Sequence, residues 1–295
     1  MREVIIGSRG SDLALWQAHY VQAELEKLGV ATTIKIIKTQ GDIIQHLSFD
    51  KMEGKGFFTK EIEAALLDKS IDLAVHSHKD LETTYPKGLT IAAVSSREDP
   101  SELLLIRKEA MDTQQKWELK TNPLVGTSSG RRKSQLIKYR PDVMLKDLRG
   151  NVPTRIDKLR NGDYDAILLA RAGVVRLGLD LSDLHQVILD PEEFIPAPAQ
   201  GVLGLQIREE DTALFDILQQ MNDPVIQKRI GVERKILNLL QGGCQLPLGA
   251  YCSTDDKVHV AFAKKWEDGA HFKTYAFADA TNIAREIVDE LNTLK

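Results

Sequence analysis

Apolar residues along the chain switch repeatedly between short continuous runs and a three- to four-residue spacing, which predicts buried strands alternating with amphipathic helices. Val4-Ile5-Ile6-Gly7 reads as a strand, Ser8-Arg9-Gly10-Ser11 as a turn, and residues 12–28 as a helix stopped by Gly29. Residues 33–38 form the next predicted strand, 41–56 a polar, glycine-bearing loop, 59–68 a helix and 71–75 a strand running into His76-Ser77-His78-Lys79-Asp80. Short strands are expected at 91–94 and 103–106, with the charged Ser96-Arg97-Glu98-Asp99-Pro100 between them as a domain crossing. The strand-turn-helix theme then recurs. A strand at 125–126 leads to a helix at 131–139, followed by strand 143–148, helix 152–160, strand 166–169 and helix 171–177.

A linker with three prolines, 191–199, precedes a buried strand at 202–207. The last part differs in pattern: a helix at 224–240 is followed by three successive strands, 249–253, 258–263 and 272–278, and a closing helix, 282–294. Strands grouped together and then a helix predict a small α+β unit after two architecturally similar α/β units.

At 295 residues and 42% hydrophobic content the chain has ample core for two or three domains. No apolar run has the length of a membrane span, and Met1-Arg2-Glu3-Val4 leads directly into strand residues, so the cytoplasm is the expected compartment. Cys244 and Cys252 fit neither a zinc knuckle nor a redox pair, and the histidines are scattered, so no metal is expected. The net charge of -4 conceals a basic segment holding Arg131, Arg132, Lys133, Arg149, Arg155, Arg171 and Arg176. A local basic site on an acidic chain suits a small anionic ligand better than nucleic acid.

Gly126-Thr127-Ser128-Ser129-Gly130-Arg131-Arg132 puts hydroxyls, helix-end N–H groups and two guanidiniums where a carboxylate or phosphate would bind, although an exposed basic helix start reads equally well. Its spacing is not that of a phosphate-binding P-loop. Arg149-Gly150-Asn151-Val152-Pro153-Thr154-Arg155 repeats the pattern at the next strand end, and Arg9 supplies a third case. Three such turns at strand ends would converge on one cleft, for a ligand with several negative groups. Lys79-Asp80 adds a carboxylate able to stabilise a developing cation and move protons; His76 and His78 read as structural. In Gly242-Gly243-Cys244-Gln245-Leu246-Pro247 either glycine can take the left-handed conformation that ends a helix and presents Cys244, the alternative being a small buried hydrophobe. Cys252 lies in a strand pattern and reads as core.

These four motifs together resemble the porphobilinogen deaminase (hydroxymethylbilane synthase) family. Residues 9–21, Lys55-Gly56-Phe57-Phe58-Thr59-Lys60-Glu61 and Pro198-Ala199-Gln200-Gly201 extend the match over nearly the whole chain. The resemblance implies two domains like type II periplasmic binding proteins, 1–98 with 199–218 and 99–198, and a C-terminal α+β domain, 219–295. It implies a monomer that contacts neither membrane nor nucleic acid and joins four porphobilinogens head to tail with loss of ammonia, releasing hydroxymethylbilane for tetrapyrrole synthesis. It also implies a dipyrromethane cofactor in thioether linkage to Cys244, with its acid groups on Lys79, Ser129, Arg131 and Arg132. Arg9, Ser11, Arg149, Arg155 and Arg176 match substrate and growing-chain positions, Asp80 the catalytic carboxylate, and Lys55 and Phe58 a mobile loop over the site. Gly130, Ala199 and His78 depart from the family pattern, where a bulkier aliphatic residue, glycine and methionine are usual. A two-lobed small-anion binding protein without catalysis would share the α/β halves and the arginine turns.

Overall fold

A computed structural model describes residues 3–40, 59–242, 246–277 and 282–293. Two five-stranded sheets share one plan. In the first, β1 (Val4–Ser8) lies between β2 (Thr32–Ile36) and β3 (Leu73–Ser77), both parallel to it. Beyond β3 comes β10 (Leu203–Arg208), antiparallel to β3 and to the edge strand β4 (Leu89–Val94). In the second sheet β6 (Leu124–Gly126) is parallel to β7 (Met144–Lys146) and β8 (Ala166–Ala170). There β5 (Glu102–Ile106) is antiparallel to β8 and to β9 (His185–Leu189). The order β7-β6-β8-β5-β9 therefore matches β2-β1-β3-β10-β4 position for position.

In each sheet the antiparallel strand is supplied by chain that has crossed from the other sheet. β5 follows the crossing after β4, and β10 follows the crossing after β9. Both strands are buried throughout, as their apolar runs predict, and the polar Glu102, Gln206 and Arg208 they carry are buried with them. The two crossings lie side by side: the Glu98 N–H donates to the Gly201 carbonyl at 3.1 Å, and Arg97 Nε donates to the Gln200 carbonyl at 2.9 Å. A Cβ on Gly201 would stand 2.2 Å from the Glu98 oxygen, and φ is +89°, so only glycine fits here. Ala199, two residues earlier, is held at φ 61°, which explains why glycine is usual in the family at this position.

Helices cover both sheets: α1 (Asp12–Lys27), α2 (Lys60–Leu67) and α6 (Thr212–Gln219) pack on the first, and α3 (Gly130–Tyr139), α4 (Val152–Arg160) and α5 (Arg171–Leu177) on the second. α1 and α5 also touch across the two units, where a Cβ on Gly173 would lie 3.4 Å from Leu13. A third unit has the antiparallel meander β11 (Leu248–Cys252), β12 (Lys257–Phe262) and β13 (His271–Ala276) under α7 (Pro224–Leu239) and α8 (Ile283–Thr293). The expected α/β, α/β and α+β architecture is present. β9 and α6 were not expected from the pattern, and strand β7 is shorter than the predicted 143–148.

Glu233 on α7 joins the three parts. Its buried carboxylate accepts from Arg97 Nη1 at 2.6 Å, from the Ala199 N–H at 2.7 Å and from the Cys252 N–H at 2.8 Å. Both crossings and the meander thus meet at one anion. Arg97→Ala would remove the cation paired with that buried anion, and we expect a loss of about 3–5 kcal/mol. Urea unfolding of the two proteins measures it; a change below about 1 kcal/mol would contradict the brace.

Candidate functional site

Strand β3 ends at Ser77, where Ser77 Oγ accepts from Gln17 Nε2 of α1 at 2.8 Å, and a 3₁₀ turn over His78–Asp80 follows. His78 is buried; a Cβ on the neighbouring Gly204 would stand 2.4 Å from its Nδ1, so the imidazole occupies space that glycine leaves. Its Nδ1 is buried without a hydrogen-bond partner. Burial, Arg234 and His76 all push it well below the ordinary histidine value, so it is neutral. His76 bonds Gln206 at 3.0 Å, and burial lowers it to about 4, with the Gln206 bond opposing and Arg9 adding. Both histidines are structural at neutral pH, as the sequence suggests.

Lys79 donates to Gln200 Oε1 at 3.1 Å, and Asp80 stands exposed at the end of the turn. Burial brings Lys79 down to about 8, Asp80 and Glu102 pulling upward and Arg132 and Arg131 downward. The second arginine source is the start of α3. Ser128 Oγ bonds the Leu148 N–H and carbonyl, both at 3.0 Å, which ties this turn to the next one along the sheet edge. Ser129 is the N-cap residue of α3 but makes no side-chain cap bond. Gly130 opens the helix without a left-handed angle.

Arg131 and Arg132 are 5% and 6% exposed and converge on Glu102, which is fully buried at the start of β5. Arg131 Nη2 reaches Glu102 Oε1 at 2.6 Å and Nη1 the Ile195 carbonyl at 3.0 Å. Arg132 Nη2 reaches Glu102 Oε2 at 2.7 Å and Nη1 the Leu168 carbonyl at 2.8 Å, leaving Arg132 Nε buried without a partner. Burial opposes ionisation of Glu102, but Arg132, Arg131 and Lys79 outweigh it and hold the carboxyl down at about 2. The two arginines are therefore neither an exposed helix start nor a pair held for ligand alone. Glu102 was not singled out in the sequence, although an acidic residue opening an otherwise apolar strand signals a buried partner.

The third turn, after β7, carries Arg149 and Arg155, with Gly150 at φ +112° between the two. Arg155 Nε donates to the Gly150 carbonyl at 2.7 Å. Burial, then Arg132 and Arg149, lower Arg155 to about 10 against the pull of Asp80. Lys79, Asp80, Arg131, Arg132, Arg149 and Arg155 thus lie within electrostatic reach of one another. Among the described residues this cluster holds five cations and two carboxylates, Glu102 and Asp80. That imbalance suits a ligand with several acid groups.

The remaining candidates lie elsewhere. Arg9 acts on His76, at the end of the neighbouring strand β3. Ser11 is the N-cap of α1, its Oγ accepting from the Ala14 N–H at 3.4 Å. Arg176 is set apart from the arginine cluster; it bonds the Gly201 carbonyl at 2.6 Å and lies 5.8 Å from the Trp16 ring centroid, beside the crossings. Lys55, Phe58 and Cys244 fall outside the described residues. The helix end before Cys244 differs from expectation: Gln241 takes the left-handed angle, φ 53°. Gly242 serves close packing instead, because a Cβ there would meet Leu246 at 2.4 Å. Cys252 is buried and its thiol pushed far up by burial, which suits core and not an anchor.

Residues 4–216 match the family model described as porphobilinogen deaminase, dipyromethane cofactor binding domain. The porphobilinogen deaminase of Oceanobacillus iheyensis is 42% identical, covering 99% of this chain and 94% of its own. That of Nitratidesulfovibrio vulgaris is 46% identical over 85% of this chain and 79% of its own, and that of Bacillus cereus 39% over 99% and 94%. The periplasmic VFT2 domain of Bordetella pertussis BvgS aligns at 14% identity with a TM-score of 0.45, covering 74% of this chain and 86% of that one.

Because Glu102 is lowered from 4.5 to about 2 in the folded chain, its ionisation stabilises the fold fully above about pH 4.5, and that contribution is lost as pH falls through about 2. Between those limits the wild type is expected to lose stability more steeply than Glu102→Gln, which cannot titrate there. Urea unfolding at intervals of pH checks this, and parallel curves would contradict it.

Proposed function

The chain belongs to the porphobilinogen deaminase family, and on that premise we propose how its own residues serve the reaction. The enzyme condenses four porphobilinogen molecules head to tail with loss of ammonia to give hydroxymethylbilane, using a dipyrromethane cofactor. A non-catalytic anion binder is not favoured by these relationships. The observation that carries the residue assignments is the surplus of cations, among the described residues, around the Lys79-Asp80 turn, since every pyrrole of substrate, cofactor and product bears two carboxylates.

The residues present fit the cofactor. Arg132 Nε is buried and unbonded, Lys79 and Arg131 stand beside it in an electropositive setting, and the Ser129 side chain makes no cap bond. We assign these four to the acid groups of the dipyrromethane and Cys244 to its thioether. When bound, the cofactor supplies the electron-rich pyrrole to which the first substrate ring is joined. Arg149 and Arg155 would neutralise substrate carboxylates next to Asp80, while Arg9, Ser11 and Arg176 would meet substrate or the lengthening chain farther along. Lys55 and Phe58 are assigned to the loop over the site.

Asp80 is assigned the catalytic role. As ammonia leaves porphobilinogen the substrate fragment becomes cationic, and a carboxylate at that point stabilises it, hydrogen-bonds pyrrole N–H groups and accepts a proton as aromaticity is restored. Arg155 lies within electrostatic reach of Asp80. Cys244 acts as nucleophile once, toward the same kind of cation, and is thereafter an anchor. We further propose domain limits of 1–98 with 199–218, 99–198 and 219–295, supported by the paired crossings and by the core under α7 and α8. A monomer working in the cytoplasm accords with this reading; among the described residues no helix is long and apolar enough to cross a membrane.

Asp80→Ala is expected to retain the fold and the bound cofactor while kcat falls by about 10²–10⁴-fold. Cys244→Ser, made in a tetrapyrrole-producing host, is expected to show the unmodified mass and no turnover. Intact mass and porphobilinogen consumption test both; an unmodified Cys244 in active wild type would refute the anchor, and undiminished rate in Asp80→Ala the catalytic assignment.

A further inference from the structure

A buried arginine grips the Lys79-Asp80 turn from the helix that leads to Cys244. Arg234, 8% exposed on α7, donates from Nη1 to the carbonyls of His78 at 2.9 Å and Leu81 at 3.2 Å. Its Nη2 donates to the Glu82 carbonyl at 2.5 Å and reaches Tyr85 Oη at 3.4 Å. The accepting carbonyls bracket Lys79 and Asp80 on both sides. A long backbone bond closes the turn itself, from the Leu81 N–H to the His78 carbonyl at 3.3 Å. Most of the polar constraint on the turn's carbonyls therefore comes from one guanidinium on a distant element.

The preceding residue on α7 fixes the other side of the helix. Glu233 holds Arg97 and the Ala199 N–H of the two crossings and the Cys252 N–H of β11. With Glu233 and Arg234 adjacent in sequence, α7 cannot shift along or about its axis without disturbing both sets of bonds. The chain leaving α7 reaches Cys244 within five residues of Leu239. The geometry points to Arg234 as a positioning residue that fixes the Lys79-Asp80 turn against α7, so that Asp80 faces the ring being joined. This rests on the assignment of Asp80 as the catalytic carboxylate and of Cys244 as the anchor. A planar fork is needed, because three carbonyls in different directions are matched by the two amino groups of a guanidinium and not by a single ammonium.

The test uses Arg234→Lys, purified as holoenzyme from a tetrapyrrole-producing host, with intact mass, thermal unfolding and steady-state kinetics on porphobilinogen. The expected result is full cofactor load and a kcat at least about tenfold lower, with KM within about twofold, since a misplacement near 1 Å can cost about 10²-fold. Unchanged kcat, or a loss equal to the fraction of protein lacking cofactor, would overturn the proposal. Arg234→Gln, which keeps a planar donor but loses the fork, gives the same readout if the lysine variant folds poorly. In the Asp80→Asn background Arg234→Lys is expected to cost less than about twofold more, because the misplaced group is already disabled; losses that multiply would show that Arg234 acts through something else. Full rate in Asp80→Asn alone would remove the premise, a result distinct from failure of the clamp.

Discussion

One buried carboxylate determines where positive charge can be held in this molecule. Glu102 sits at the start of a strand with no access to water, bonded to Arg131 and Arg132 and reached by Gln200 Nε2 at 3.2 Å. Taking several guanidiniums and an ammonium out of water is costly unless each finds an anion or carbonyl. Glu102 serves two at once, and the carbonyls of Ile195 and Leu168 complete the set. The compensation stops short of neutrality among the described residues: Lys79, Arg149 and Arg155 add positive charge around the carboxylates of Glu102 and Asp80. A fully paired interior would have nothing left for an acidic ligand, and an unpaired one would not fold. A buried ion pair is weak support for stability, but it fixes geometry, since the two arginines cannot leave Glu102 without stranding it.

That constraint is reached through the topology. Because each sheet receives its antiparallel strand from chain that has crossed over, Glu102 stands immediately after one crossing, and Gln200, which reaches both Glu102 and Lys79, lies in the other. The crossings touch at Glu98 and Gly201, where the backbone approach excludes a side chain. Any opening between the two α/β units must bend these segments, so it would be felt directly at the charge cluster. The third unit is tied to the same place by Glu233 on α7.

Strand-turn-helix periodicity, the arginine turns and the core status of Cys252 were legible in the sequence because each rests on local pattern or composition. The alternating halves and the α+β end follow from residues such as Val4-Ile5-Ile6-Gly7 and 249–263 without tertiary knowledge. Pairing was not legible. Glu102 is separated from Arg131 by 29 positions, and nothing in either neighbourhood names the other. Arg176 shares the basic segment with Arg149 and Arg155 yet packs beside the crossings, because α5 meets α1 across the units and turns that side chain toward Gly201 and Trp16. At the end of α7, composition pointed to a glycine as the left-handed residue; steric contact with Leu246 and Leu237 instead commits Gly242 to packing and passes the strained angle to Gln241. β9 was missed because two of its five residues face solvent and its apolar run is only Val187-Ile188-Leu189.

The shape of guanidinium is what lets the α3 arginines be fixed by the protein and still be proposed as ligand-binding groups. A lysine at either position could offer Glu102 one ammonium, and its remaining donors would radiate from the same point. An arginine places its donors on two edges of a plane, so one part can be cemented into the protein while another stays available. Arg132 does this: both amino groups are committed to Glu102 and Leu168, and Nε is left unbonded. A structural reading of this pair and a ligand-binding reading are therefore compatible. The bonds that fix the planes are what give the remaining donor and the uncompensated charge a defined direction, and a polyanionic chain growing by repeated addition needs contacts whose positions do not move with each ring.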